Sequence, residues 1–194
     1  MYASAFFHIM EQAEVWSGHI PVVLTLAPED NVTHEAPAPL YCMLPRCSYL
    51  AFCEPDVRSH FCENIPQVDD GIWFAFNGAP LKWHLPVGVL FDSISSSQCR
   101  TSPSSSALPW AITVHFQKYP DPAMPRCRTS DVLRACFFNT IRQSCWLRYG
   151  NAQRLARLSK EDHMRMFDSL RTSTKLPEPF IFSNMHLALK IHRS

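Results

Sequence analysis

With 194 residues, 46% of them apolar, the chain can bury one large core or two small ones, and wholesale disorder is excluded. The net charge of +1 hides a split: residues 1–125 carry 5 Lys+Arg against 12 Asp+Glu, and residues 126–171 carry 10 against 4. Sixteen prolines against five glycines imply short elements separated by stiff turns.

In chain order, Glu11 to Trp16 reads as a short amphipathic helix stopped by Gly18 and Pro21, giving an N-terminal helical segment over 1–18. Ile20 to Leu26 and Leu40 to Leu44 are apolar, β-prone runs joined by an acidic, Pro-containing loop, the pattern of a first hairpin. Asp56 to Asn64 holds Val57, Phe61 and Ile65 at helical spacing, with Asp56 near the N-terminus, where negative charge is favoured. Next comes an aromatic run containing Trp73, Phe74, Phe76, Trp83 and Phe91. Asn77-Gly78 within it is a two-residue turn signal, because both residues tolerate positive φ. It predicts a hairpin of Ile72–Phe76 with Leu81–His84. Ser93 to Ser106 is Ser-rich, carries Pro103 and shows no apolar period, so it reads as a loop. Between Trp110 and Phe116, Ile112, Val114 and Phe116 alternate with Ala111, Thr113 and His115, predicting a strand with one buried face. The order β-β-α-β-β over 19–120 is that of a ubiquitin-like β-grasp roll, an α+β domain with a helix across a mixed sheet.

After Pro125 the pattern turns helical, giving a helix-rich region over 126–172. Thr129 and Ser130 suit a cap, Asp131 suits the first turn, and Leu133, Phe137, Ile141 and Cys145 recur every four residues up to Gly150. A second helix is expected over 152–158. A third follows Ser159, where Ser159 and Asp162 resemble a capping box before Met166, Phe167 and Leu170. Residues 173–194 form a divergent tail.

The eight cysteines show no CxxC pair, so neither a zinc site nor a disulfide framework is indicated. The N-terminus lacks the basic and apolar regions of a signal peptide, and no apolar run is long enough to span a bilayer. These features predict reduced thiols and a cytosolic chain. His84 or His115 beside Cys127 is the only arrangement suggestive of a catalytic base and nucleophile. No orienting group or oxyanion motif accompanies it, and the reading is non-enzymatic, without cofactor or metal. The arginines Arg134, Arg142, Arg148, Arg154, Arg157 and Arg165 suit an acidic partner or an anionic membrane. Nucleic acid is not indicated, since no binding motif accompanies them.

Four blocks carry a family resemblance: Val15-Trp16-x-Gly18-x-Ile20-Pro21, Leu44-Pro45-Arg46-x-Ser48-Tyr49-Leu50, Pro80-Leu81-Lys82-Trp83-His84-x-Pro86, and Ser104 to Trp110 followed by Ile112 to Phe116. Together they resemble the autophagy protein 5 family over about residues 14–170. The resemblance implies two ubiquitin-like domains flanking a helical region, and a non-catalytic scaffold of autophagosome formation. It implies association with the ubiquitin-like autophagy protein 12 through an isopeptide bond to a lysine, and binding of the N-terminal helix of autophagy protein 16. The assembly then promotes, like an E3, lipidation of autophagy protein 8 at the phagophore membrane. On this basis the chain is expected in the cytoplasm and peripherally at the phagophore assembly site, with Trp16, Trp83, Arg134 and Arg148 as partner-binding residues.

Two departures from the family pattern follow. The acceptor lysine aligns, through Ala135-Cys136-Phe137-Phe138, with Arg142. Isopeptide formation needs a neutral amine, whereas a guanidinium stays protonated at cellular pH, so arginine is not a competent acceptor. Of the five lysines only Lys160 lies in the helical segment, and it is the substitute candidate. The expectation is therefore non-covalent association with autophagy protein 12. The second ubiquitin-like domain is also not found before Ser194, so the groove for autophagy protein 16 is expected to be incomplete. The alternative function is a truncated regulatory form that binds autophagy protein 12 but not autophagy protein 16.

Overall fold

The alternation along the strands decides the architecture. In β1 (His19–Leu26), Ile20, Val22, Leu24 and Leu26 are buried while the residues between them are not. β5 (Trp110–His115) repeats this with Trp110, Ile112 and Val114. The computed structural model describes residues 16–66, 71–98, 108–127 and 129–172.

β1 and β5 lie side by side and parallel at the centre, with Val22 opposite Trp110 and Leu26 opposite Val114. β2 (Leu40–Pro45) pairs antiparallel with β1, from His19 opposite Pro45 to Leu24 opposite Leu40. β3 (Trp73–Phe76) pairs antiparallel with β5, and β4 (Ala79–Pro80) closes the far edge, giving the order β2-β1-β5-β3-β4. One sheet face is covered by Val57 and Phe61 of α1 (Glu54–Phe61) and by Val87 and Leu90 of α2 (Val87–Gln98). This is the mixed sheet with crossing helix of a ubiquitin-like α+β domain.

The turn at Asn77-Gly78 has both residues at positive φ, 50° and 77°, as its chemistry requires. The returning strand, however, is Ala79–Pro80 and not Leu81–His84. Pro80 has no N–H to donate, so the ladder ends after the Leu81 N–H reaches the Phe74 carbonyl at 2.8 Å. The chain then turns through Lys82 and Leu85 into α2. That helix corrects the loop expected over Ser93–Ser106, since it runs to Gln98. The Ser93 hydroxyl donates back to the Val89 carbonyl at 2.7 Å, which lets a serine sit inside a helix with its polar group satisfied. The remainder of the Ser-rich stretch, to Ser106, lies outside the described residues. α1 begins at Glu54, earlier than Asp56, because a 3₁₀ turn over Leu50–Cys53 leads into it and Pro55 suits its first turn. It also ends at Phe61, before Ile65.

The helical region holds α3 (Ser130–Tyr149), α4 (Gln153–Ala156) and α5 (Lys160–Thr172). Gly150 caps α3 in the left-handed conformation, its N–H on the Trp146 carbonyl at 2.8 Å. Ser159 caps α5 by accepting the Asp162 N–H at 3.0 Å, while its hydroxyl donates to the Asp162 carboxylate at 2.9 Å. α4 is only one turn, shorter than the expected 152–158. Of the N-terminal helix expected over 1–18, Trp16 and Ser17 are described and helical; residues 1–15 and 173–194 lie outside the description.

A second core joins the two regions. Trp16, Tyr49, Trp83, Tyr119 and Met124 from the sheet side pack with Leu133, Phe137, Ile141, Met166, Phe167 and Leu170 from the helices.

Candidate functional site

The four-residue repeat of Leu133, Phe137, Ile141 and Cys145 commits one side of α3 to the shared core. The opposite side is therefore turned to solvent, and it carries Asn139, Arg142, Gln143, Trp146 and Leu147, all exposed. Arg142 stands mid-helix, and among the described residues its guanidinium donates to the Asn139 side chain, at 3.1 Å. One turn further on, Trp146 and Leu147 are 63% and 66% exposed. Neither residue is among the site residues expected from the sequence, although a tryptophan four residues after Arg142 falls off the apolar stripe and so has no place in the core.

The other expected site residues separate into two groups. Arg134 is bonded to Asp131 one turn before it, and Arg148 lies with its guanidinium 5.5 Å from the centre of the Tyr149 ring. Both remain on the helix surface. Trp16 and Trp83, by contrast, are buried in the shared core. The Trp83 indole N–H donates to the Pro125 carbonyl at 2.6 Å, and the Tyr119 hydroxyl donates to the same oxygen at 2.9 Å. As packed here these tryptophans hold the two regions together and offer little face to a partner. Lys160 is exposed at the first position of α5.

The cysteine and histidine pairing imagined for catalysis gains no support from the chemistry of the thiol. Cys127 lines a cavity of about 190 Å³ with Phe52, Glu54, Leu133 and Arg171. Burial, then the charges of Glu54 and Cys136, push its pKa up to about 11, so it stays a thiol at neutral pH. An activated cysteine shows the reverse shift. Burial likewise raises Cys47 to about 11 and Cys53 to about 12. His115 is stacked on the Trp73 ring at 3.9 Å, and His84 packs edge-on against Trp83. Among the described residues no three Cys, His, Asp or Glu side chains converge on a metal site, and no helix is long and apolar enough to cross a membrane.

The sheet and bundle thus define a ubiquitin-like domain continued by a helical region, with an exposed basic helix face as its most distinctive surface. Two family models match in that order: Autophagy protein ATG5, UblA domain, over residues 15–116, and Autophagy protein ATG5, alpha-helical bundle region, over 130–175. The chain belongs to the autophagy protein 5 family. It is similar to Autophagy protein 5 of Arabidopsis thaliana, at 32% identity over 156 residues, covering 80% of this chain and 44% of that one. It is also similar to Autophagy protein 5 of Aspergillus fumigatus, at 33% identity over 177 residues, covering 82% and 54%. The crystal structure of Kluyveromyces marxianus Atg5 shares the fold, with a TM-score of 0.69 at 22% identity, over 93% of this chain and 67% of that one. The chain spans about half the length of the curated relatives it matches. Membership supports a role in autophagy.

Proposed function

We infer that this chain is a non-catalytic scaffold of autophagosome formation that associates non-covalently with the ubiquitin-like autophagy protein 12. In that role it promotes E3-like lipidation of autophagy protein 8, working in the cytoplasm and peripherally at the phagophore membrane. The observation that carries the reading is Arg142. It is solvent-exposed in the middle of α3, where the family pattern has its acceptor lysine, and α3 itself contains no lysine. A guanidinium cannot attack a thioester, yet it keeps the positive charge that an acidic partner surface would meet. Lys160, on a different helix, is the only lysine of the helical segment that could take the bond instead. Mass spectrometry of the complex purified from cells tests this: autophagy protein 12 should co-purify with no isopeptide remnant. A remnant on Lys160, or on any other lysine, would sink the non-covalent reading.

A further inference from the structure

The face of α3 centred on Trp146 and Leu147 has a property that its fold does not explain. These side chains are 63% and 66% exposed, on a helix whose apolar stripe is already filled by the shared core. Neither has a ring or hydrogen-bonding partner for its side chain among the described residues. Burying them offers a gain on binding that folding leaves unused, since large apolar side chains gain roughly 1.5–3 kcal/mol when fully removed from water. Trp146 is one turn from Arg142 and shares its face, so an aromatic anchor and a cation are presented together.

We propose that Trp146, supported by Leu147, is the non-covalent anchor for an acidic protein partner, inserting into an apolar pocket while Arg142 meets the acidic rim. This rests on the association inferred above and names the residues that would carry it. Trp and Arg are the side chains that most often dominate protein interfaces, because they combine large area with few rotamers or with directional hydrogen bonding. The charge of the partner follows from the sequence around the anchor. From Val132 to Lys160 there is no Asp or Glu, while Arg134, Arg142, Arg148, Arg154, Arg157 and Lys160 supply six cations. A basic partner would be repelled, and a neutral one would offer no counter-charge to Arg142, whose hydrogen bond among the described residues is to the uncharged Asn139 side chain.

An anionic membrane has the same charge, but the shape of the patch favours a protein. A helix lying in a lipid interface needs an apolar stripe several turns long. Here the stripe is broken: Val132 and Ala135 are exposed near the start of α3 and Trp146 and Leu147 near its end, and between them the face carries Asn139, Arg142 and Gln143. A short, protruding aromatic flanked by polar residues fits a pocket better than a lipid plane.

The test uses the full chain and purified autophagy protein 12, with binding measured by titration calorimetry. Trp146→Ala should weaken binding about thirtyfold or more, the usual mark of a hot-spot tryptophan. Leu147→Ser should weaken it less, and Trp146→Phe should restore part of the loss. Tyr41→Ala, which removes an equally exposed side chain (69%) on the outer edge of the sheet, should bind as the wild type does. Circular dichroism should show all four variants folded, as expected for exposed positions. If the wild type binds and Trp146→Ala binds equally well, the anchor is overturned while the partner reading stands. If the wild type does not bind autophagy protein 12 at all, both fall. A parallel arm follows tryptophan emission on adding phosphatidylserine-containing vesicles. A blue shift that Trp146→Ala abolishes, together with unchanged partner binding, would assign the face to lipid and overturn the proposal.

Discussion

His115 is pulled in opposite directions, and distance decides between them. Its ring lies flat on Trp73, 3.9 Å between centres and 11° from parallel, which shields it from water. Its Nδ1 is 3.5 Å from the Glu29 carboxylate and 3.9 Å from that of Asp30. Asp30 is almost wholly buried and already accepts the Phe116 N–H at 2.7 Å. Neither carboxylate reaches hydrogen-bonding distance of the imidazole, so burial outweighs their attraction and the pKa of His115 is lowered from 6.5. A lowered folded pKa means that the unfolded chain binds the proton more readily. The stability tied to a neutral His115 is therefore complete above the unfolded value of about 6.5 and is lost as pH falls from there through the folded value. Denaturant unfolding of the wild type and of His115→Phe, at about pH 7.5 and about pH 5, isolates this residue from the other histidines. The wild type should lose more stability on acidification than the variant does; equal losses would contradict the argument.

At the scale of elements, α2 depends on a close approach that glycine suits best. The N-terminus of α2 rests on the turn after β2: the Gly88 N–H donates to the Arg46 carbonyl at 2.8 Å and the Val87 N–H to the Ser48 carbonyl at 2.9 Å. Arg46 then reaches along the helix to Asp92, at 2.6 and 2.7 Å from its two oxygens. A Cβ at Gly88 would lie 3.0 Å from both the Arg46 Cβ and its carbonyl oxygen, a contact so tight that the Arg46 backbone would have to shift by a few tenths of an ångström to admit it. Gly88→Ala should gain about 1 kcal/mol of helix propensity and lose more than that in overpacking, with a net cost of about 1–2 kcal/mol. Thermal unfolding that is unchanged or improved would show that the turn yields. The same glycine explains why α2 was hidden in the sequence. Gly88 and the serines after it are poor helix formers, and they mask the spacing of Val87, Leu90 and Ile94, whose burial is set by a sheet elsewhere in the chain. The turn at Asn77-Gly78 and the caps at Gly150 and Ser159 were legible because their chemistry is local. Trp16 and Trp83, expected as partner-binding residues, are buried in the shared core, and no local pattern announces their neighbours: the acceptor for the Trp83 indole is 42 residues away. The basic face of α3 was legible as charge, and its exposed anchor became evident only once the opposite side was seen to be filled.

Across the whole molecule, the ubiquitin-like domain and the helical region are not independent bodies on a linker. Tyr49, from the turn leading into the 3₁₀ segment, packs edge-on against Phe137 of α3 at 6.5 Å between ring centres. Phe52 meets Phe167 of α5 at 5.4 Å, and Phe137 meets Phe167 at 6.0 Å, so the aromatic contacts run from one region into the other. Neither side can bury these rings alone, since each supplies the other's wall. The exposed face of α3 is consequently held at a fixed position relative to the sheet, as a surface that binds a folded partner requires. Removing the central ring should therefore destabilise both regions together. Phe137→Ala should cost about 3–5 kcal/mol. Hydrogen exchange followed by mass spectrometry reads each element separately, and peptides from β1 and from α3 should lose protection in the variant by similar amounts. If α3 opens while β1 keeps its wild-type protection, the shared core does not couple the two regions.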